Sequence, residues 1–300
     1  MRDPADKKQV VVIVPIYRTD INLLEQISFI QCLRTLSDHP LAIIKPHHLD
    51  LAAFPMIDRF AAIEAFDDSY FSGIPGYNRL MKSPEFYERF LDYEFMLIHQ
   101  LDVFVFRDEL SFWCGRGYDY IGAPWLKVVP SIGRLTTKRH EFRAWLHRYF
   151  DIRKRGRPSY RQGENVVGNG GFSLRRVRKF ATLAHQFRKQ AERSDNVSDN
   201  NFNEDLFWSI EVNRRVRHLR RPHYLEALSF SFEYSLDQSM RLTNGRLPFG
   251  CHAWHRNLDF WRPFIEARGY MLPAVRSDGA AGGQAHEPNA FSSPRGQDGE

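Results

Sequence analysis

Residues 9–17, QVVVIVPIY, form a continuous β-branched run that stops at a proline. A stretch apolar on both alternating faces predicts a strand buried on both sides, the kind that parallel sheets use. The period then changes. INLLEQISFIQCLRTL places its apolar residues at helical spacing after Asp20, which predicts a helix with Asp20 as its cap. LAIIKP, residues 41–46, reads as a second short strand. Strand, helix and strand in that order make a βαβ unit, the opening of a nucleotide-binding α/β fold.

Further on, SPEFYERFLDYE predicts a helix with Ser83 as cap and Pro84 in its first turn. FMLIHQLDVFVF, residues 95–106, is a strand-like run with Asp102 in its middle, and GYDYIGAPW follows. Over residues 127–165 the pattern loosens into KRHEFRAWLHRYFDIRKRGRPSYRQGEN, a basic segment read as a loop-like insertion or mobile flap. VVGNGGFSLRRVRKF returns to strand and then helix, NEDLFWSIEV starts another helix, and YLEALSFSFEY reads as a strand. The stretch from residue 275 to 300 is rich in Gly, Ser and Pro and predicts a disordered tail. The expected organisation is a flexible start over residues 1–8, one domain of mixed β-sheet flanked by helices over 9–274, and that tail. No internal repeat is visible.

Composition sharpens this only in places. A chain of 300 residues, 43% hydrophobic and 26% charged, has the make-up of an ordinary soluble globular protein. Aromatic residues at 14% accompany sites that stack rings or sugars, and a net charge of +6 favours anions, whether nucleotides, nucleic acid or a membrane surface. Cys32, Cys114 and Cys251 are scattered and odd in number, without CxxC spacing, which fits a reducing compartment and argues against a disulfide framework or a zinc cluster. MRDPADKKQV lacks a signal peptide's apolar stretch, and no segment is long and apolar enough to span a bilayer. The expectation is a cytoplasmic protein able to touch the inner face of a membrane.

Four stretches carry candidate chemistry. Asp102 interrupts an apolar run, so it is either paired, exposed at a strand end, or holding a ligand such as Mg²⁺ or Mn²⁺, which prefer oxygen donors. GNGGFSL, residues 168–174, weakens a strand with glycine, which signals close approach to something bulky or a simple bulge. In NEDLFW, Glu204 and Asp205 fall in a first helical turn behind Asn203. The helix dipole there predicts ionised acids, suited to a base or to plain capping, and capping is the commoner use. FGCHAWH offers His252 and His255 as metal ligands or as core histidines. Arg79 and Lys82 in GYNRLMK supply charge for phosphates or a solvated pair, and Trp125 in GAPW is a stacking or a core residue.

The order IHQLDVFVFRDEL, GYDYIGAPW, VGNGGFSLR, EDLFW and PFGCHAWH resembles glycosyltransferases of the GT-A superfamily, and more closely a bacterial and fungal domain family of unknown function within it. The resemblance implies a GT-A-like (Rossmann-like) sheet and transfer of a sugar from a nucleotide-sugar donor to a glycan or lipid-linked acceptor, with inversion. Asp102 matches the acidic DxD-type motif, although Gln100-Leu101-Asp102-Val103-Phe104 contains one acid, leaving His252 as the second ligand for a divalent metal, Mn or Mg. Asn169, Gly170 and Gly171 match the strand lining donor and acceptor. Tyr17, at the close of the first strand, joins Arg79, Asp102 and Trp125 in the donor-binding set. EDLFW matches the motif whose second carboxylate is the base, giving Asp205 that role and leaving Glu204 to hold acceptor hydroxyls. The competing reading is a non-catalytic basic module for nucleic acid or an anionic glycan, supported by the basic run from Lys127 to Arg161, RRVRKF and RRVRHLRR. No RNA-recognition motif, zinc knuckle or helix-turn-helix accompanies them.

Overall fold

The computed structural model describes residues 8–127, 134–154, 157–195 and 203–273. The main sheet contains β1 (Lys8–Pro15), β2 (Leu41–Pro46), β3 (Ala62–Phe66), β4 (Tyr93–His99), β5 (Tyr120–Ile121) and β6 (Phe172–Arg176), in the spatial order β3-β2-β1-β4-β6-β5. The first four strands are mutually parallel, and β6 runs antiparallel to both β4 and β5. The β1 run is apolar without interruption because both of its faces are covered. Val10, Val12 and Val14 enter one core, with Phe29, Cys32 and Leu33 of helix α1 (Leu23–Thr35). Val11 and Ile13 enter the other, which helices α2 (Gly73–Lys82) and α3 (Pro84–Glu88) cover with Leu80, Met81, Phe86 and Tyr87. Each such side chain contributes about 1.5–3 kcal/mol on leaving water.

The helix α1 is capped by Asn22 and not by Asp20. Asn22 Oδ1 accepts from the Leu24 and Glu25 amides at 2.9 and 3.0 Å, and Glu25 Oε2 accepts from the Asn22 amide at 2.8 Å. This reciprocal pair satisfies donors that Asp20, two residues outside, does not reach. Ser83 caps α3 as its position before Pro84 predicts, its Oγ accepting from the Phe86 amide at 3.2 Å.

Two segments differ from the expected pattern. The basic stretch is not a loop over its described part: it holds helix α4 (Arg134–Tyr149), the paired strands Arg153–Lys154 and Arg157–Pro158, and a 3-10 turn, Tyr160–Gly163. YLEALSFSFEY is a helix over Tyr224–Phe230 that becomes a strand only at Ser231–Phe232. That strand matters for the site. It pairs in parallel with Gly250–Cys251, which pairs antiparallel with Phe104–Val105. Residues 1–7 and the tail from 274 onward, where flexible ends are expected, lie outside the described residues.

Candidate active site

Asp102 does not sit inside a strand. The apolar run is broken into β4, ending at His99, and the short strand Phe104–Val105, with Asp102 in the turn between them at the carboxyl end of β4. His99, inside the sheet and fully buried, has no hydrogen-bond partner on either ring nitrogen among the described residues, and burial pushes it down to about 4, so it is a neutral core residue.

The small sheet explains which groups meet Asp102. Its register sets Phe232 beside Cys251 and Cys251 beside Phe104, so the flanking residues Glu233, His252 and Asp102 emerge together at one edge. His252 Nδ1 lies 3.0 Å from Glu233 Oε1, and His252 Nε2 lies 3.2 Å from Asp102 Oδ1 and 3.3 Å from Gln100 Oε1. Asn169 donates through Nδ2 to Glu233 Oε2 at 2.6 Å, and its own Oδ1 accepts from the Phe172 amide at 2.9 Å. Burial disfavours the charged imidazole, but the Asp102 and Glu233 carboxylates outweigh it and raise His252 to about 10. Burial likewise acts to raise Asp102, and His252, His255 and Arg256 overcome it, holding this carboxyl at about 2. The edge therefore carries an imidazolium clamped between two carboxylates.

The glycines give this cluster its room. A Cβ on Gly171 would lie 2.2 Å from His252 Nε2 and 2.5 Å from Gln100 Oε1. A Cβ on Gly170 would lie 1.8 Å from Glu204 Oε1. A side chain at either position would have to displace these groups.

Glu204 and Asp205 begin helix α5 (Glu204–Leu206), which continues as a π-helical turn over Phe207–Glu211. The two acids have opposite fates. Glu204 is bound through both oxygens to Arg175 Nη2 at 2.9 and 3.0 Å, and the Arg175 side chain is fully buried, so Glu204 serves that ion pair instead of standing free for acceptor hydroxyls. Asp205 makes no ion pair among the described residues, and Arg175 acts on it only weakly. Burial first, then the Glu204 and Glu233 charges, raise it to about 8. The ionised state expected from the helix dipole is thus opposed: desolvation and two neighbouring carboxylates act on the same group and outweigh it. Asn203 supplies no side-chain cap; Asn78 does, its Oδ1 accepting from the Glu204 amide at 3.1 Å.

Glu233 is the link missed in the sequence. It touches His252 directly and its charge acts on Asp205, so Asp102, His252, Glu233 and Asp205 form one electrostatic chain. Its signal is the same as that of Asp102, a single acid in an apolar run, SFSFEY. Tyr77 was also missed: its hydroxyl is buried, and its environment includes Gln100, Glu204 and Asp102. Tyr17, half-exposed at the end of β1, is raised by burial and feels the Asp102 charge.

Arg79 and Trp125 lie elsewhere. Arg79 donates to the Ser69 carbonyl at 3.0 Å. Trp125 is packed with Val166, Leu206 and Ile210 in an apolar cluster, where its ring fills space behind α5 and is not open for stacking. Part of the basic runs is spent internally. Arg175 pairs with Glu204, Arg176 with Asp119 and Glu94, and Arg214 with Glu211 and Asp151. This leaves little of RRVRKF for a nucleic-acid backbone.

A divalent cation can be tested against these donors. Asp102 Oδ1 is buried, and with Gln100 Oε1 it stands within 3.3 Å of His252 Nε2. Behind the imidazole, Glu233 holds Nδ1, as carboxylates behind metal-bound histidines do. Among the described residues no group of three or more His, Cys, Asp or Glu could hold a metal. The donors therefore fit a hard cation shared with substrate phosphate oxygens, not a closed protein cage. Loss of the His252 proton would accompany such binding.

Fold and site together define a class. The sheet order, with its antiparallel β6 beside parallel β4 and acids gathered at the strand ends, is that of the GT-A fold. The chain belongs to the family described as protein of unknown function (DUF5672), whose family model matches residues 60–252. The galactosyltransferase LgtC, solved with donor and acceptor sugar analogs, is similar at 13% identity and a TM-score of 0.53, over 89% of this chain and 98% of that one. An active-site mutant of LgtC gives 14% identity and a TM-score of 0.51 over 88% and 97%. Core-mannan synthase A from Aspergillus fumigatus, in an Mn/GDP form, gives 12% identity and a TM-score of 0.49 over 72% and 73%. No curated protein matches the chain.

Proposed function

We propose that the protein is an inverting glycosyltransferase that moves a sugar from a nucleotide-sugar donor to a glycan or lipid-linked acceptor. The observation that carries this reading is the single chain Asp102–His252–Glu233–Asp205 at the carboxyl ends of the strands, where open α/β sheets bind ligands. Asp205 is the base. The acceptor oxygen bonds to the anomeric carbon, the bond from that carbon to the diphosphate breaks, and the hydroxyl proton passes to Asp205. A base near pH 8 combines sufficient ionisation with a strong pull on the proton. Asp102, His252 and Gln100 hold the diphosphate end, with Asn169 fixing Glu233 and hence the imidazole. A divalent cation bound by Asp102 and His252 would neutralise charge on the departing diphosphate.

Titration with a panel of nucleotide sugars, with and without Mn²⁺, is expected to raise the melting temperature for at least one donor. Gly171→Ala is expected to erase that shift, because the added methyl displaces His252 and Gln100. No response from wild type to any donor would defeat the proposal.

Among the described residues no helix is long and apolar enough to cross a membrane. A peripheral contact has a candidate surface in α4 and the turn after it. Phe142, Trp145, Tyr149 and Phe150 are exposed and in contact in series, the first three stacked with centroids 5.7 and 5.3 Å apart and the last pair edge to face at 5.0 Å. Exposed Arg139, Arg143 and Lys154 accompany them. Aromatic rings among cations suit an anionic lipid surface. Phe142→Ser with Phe150→Ser is expected to reduce sedimentation with phosphatidylserine vesicles by roughly tenfold or more; unchanged sedimentation would remove the membrane from the reading.

A further inference from the structure

A concave site is lined by none of Asp102, His252, Glu233 and Asp205. A cavity of about 410 Å³ opens between α4, the strand Val166–Val167, the π-helical turn after Asp205 and the segment 213–224. That volume is within the range of small-molecule sites. Its lining holds five cationic side chains, Lys127, Arg148, Arg214, Arg217 and Arg221, against the two carboxylates Glu141 and Glu164, a net of three positive charges.

The excess is concentrated in three arginines. Lys127 is paired with Glu164 at 3.1 Å, and Arg214 with Asp151 at 3.2 Å and with Glu211. Arg148, Arg217 and Arg221 make no ion pair among the described residues. Their hydrogen bonds go to backbone carbonyls: Arg148 to Gln162 and Glu164, Arg217 to Arg221, and Arg221 to Val167. Burial pushes Arg221 down to about 10, with Arg148 and Arg217 adding to it and Tyr120 opposing. Glu164 also lines the cavity and acts on Arg148, but it is already paired with Lys127, so three guanidinium groups without an ion pair of their own are an arrangement that an oxyanion would stabilise.

An independent observation concerns the same cavity. Ser209 lines it, is 1% exposed, and its Oγ, set against Gly168, has no hydrogen-bond partner among the described residues. A buried hydroxyl left unsatisfied is costly unless a ligand completes it. Ser209 stands four residues after Asp205 on the same continuous helical stretch, so a group bound there is held close to the proposed base.

We propose that this cavity binds the phosphate group of a phosphorylated acceptor, through Arg148, Arg217, Arg221 and Ser209. That the phosphate belongs to the acceptor rests on the glycosyltransferase reading; phosphate binding itself does not. The guanidinium forks match phosphate oxygens in pairs, and the net positive lining offsets the charge of a phosphate monoester.

The test uses the full chain and inorganic phosphate without divalent metal, read by titration calorimetry. Wild type is expected to bind phosphate, and Arg217→Gln and Arg221→Gln to bind it about tenfold or more weakly, each removing a charged hydrogen-bond donor. Arg217 is exposed and donates a single hydrogen bond to a carbonyl, so its variant keeps the fold. Gly171→Ala is expected to bind phosphate as wild type does, which separates the cavity from the acid cluster. Competition then identifies the source: displacement by phosphatidic acid vesicles but not by glycerol phosphate assigns a lipid headgroup, and equal displacement by glycerol phosphate assigns a soluble ester. No binding by wild type, equal binding by Arg217→Gln, or loss in Gly171→Ala alone overturns the proposal. Arginine-dependent phosphate binding in a protein that responds to no nucleotide sugar would keep the site and discard the transferase reading.

Discussion

Asp205→Asn is expected to abolish sugar transfer and, at the same time, to make the protein more stable. Both effects have one cause. The carboxyl is raised from 3.8 to about 8 by burial and by the Glu204 and Glu233 charges. A group whose folded value lies above its unfolded one contributes stability fully below the unfolded value, and that contribution is lost as pH rises through the folded value. Wild type thus gives up stability from about pH 4 to about pH 8, whereas the amide, which cannot ionise, gives up none. At about 1.4 kcal/mol per unit, the difference at neutral pH is on the order of a few kcal/mol, or roughly 5 °C in melting temperature. The gap between variant and wild type should widen from about pH 5 to about pH 8 and then level off. The kcat/KM of wild type should rise over the same interval, because only the ionised acid accepts a proton. Donor binding should survive in the variant. Full turnover by Asp205→Asn would remove it as the base, and a stability gap independent of pH would refute the raised carboxyl.

Breaking the neighbouring pair should have the opposite effect on stability. Glu204→Ala leaves the fully buried Arg175 guanidinium with Tyr87, Ser173 and a distant carbonyl of Gly170 as its polar partners. Removing one member of a buried ion pair costs about 3–5 kcal/mol, because the remaining charge stays out of water. Unfolding in urea should show this loss. The double change Arg175→Met with Glu204→Leu should recover most of it, since apolar side chains fill the space without a stranded charge. Glu204→Gln carries a second, separable signature. It deletes a negative charge that raises Asp205, so the rise of kcat/KM with pH should move to lower pH. A Glu204→Ala protein as stable as wild type would show that the pair is dispensable.

How far the sequence disclosed all this depends on the range of the forces involved. β1 and β2 were readable because burial on both faces leaves a continuous apolar run, and Ser83 because capping is local. The basic segment was not readable as helix α4: its aromatic residues Phe142, Trp145 and Tyr149 face outward, so the chain shows no clear apolar stripe toward a core. Tyr224–Phe230 carries β-favouring aromatics in a helix, a choice set by tertiary packing. In the site, the residue types at 102, 169, 170, 171, 205 and 252 pointed to it through the family resemblance. The charge on Asp205 could not be read, because it depends on Glu233, which lies 28 positions along the chain and is brought near by a strand pairing at Phe232 and Cys251. For Arg79 too the sequence could not say where a long side chain finds its acceptor, which here is the Ser69 carbonyl.

The direction of β6 has a consequence for how this protein can vary. Running against β4, it delivers Gly170 and Gly171 to the reactive edge at its start and carries Arg175 inward a few residues later. Phe172 and Leu174 point into one core while Ser173 and Arg175 point to the other side. A slip of one residue against β4 would exchange those faces, burying leucine against Glu204 and turning the guanidinium into a hydrocarbon layer. An insertion or deletion between Asn169 and Arg176 would shift Arg175 against Glu204 and so break the pair that sits beside Asp205.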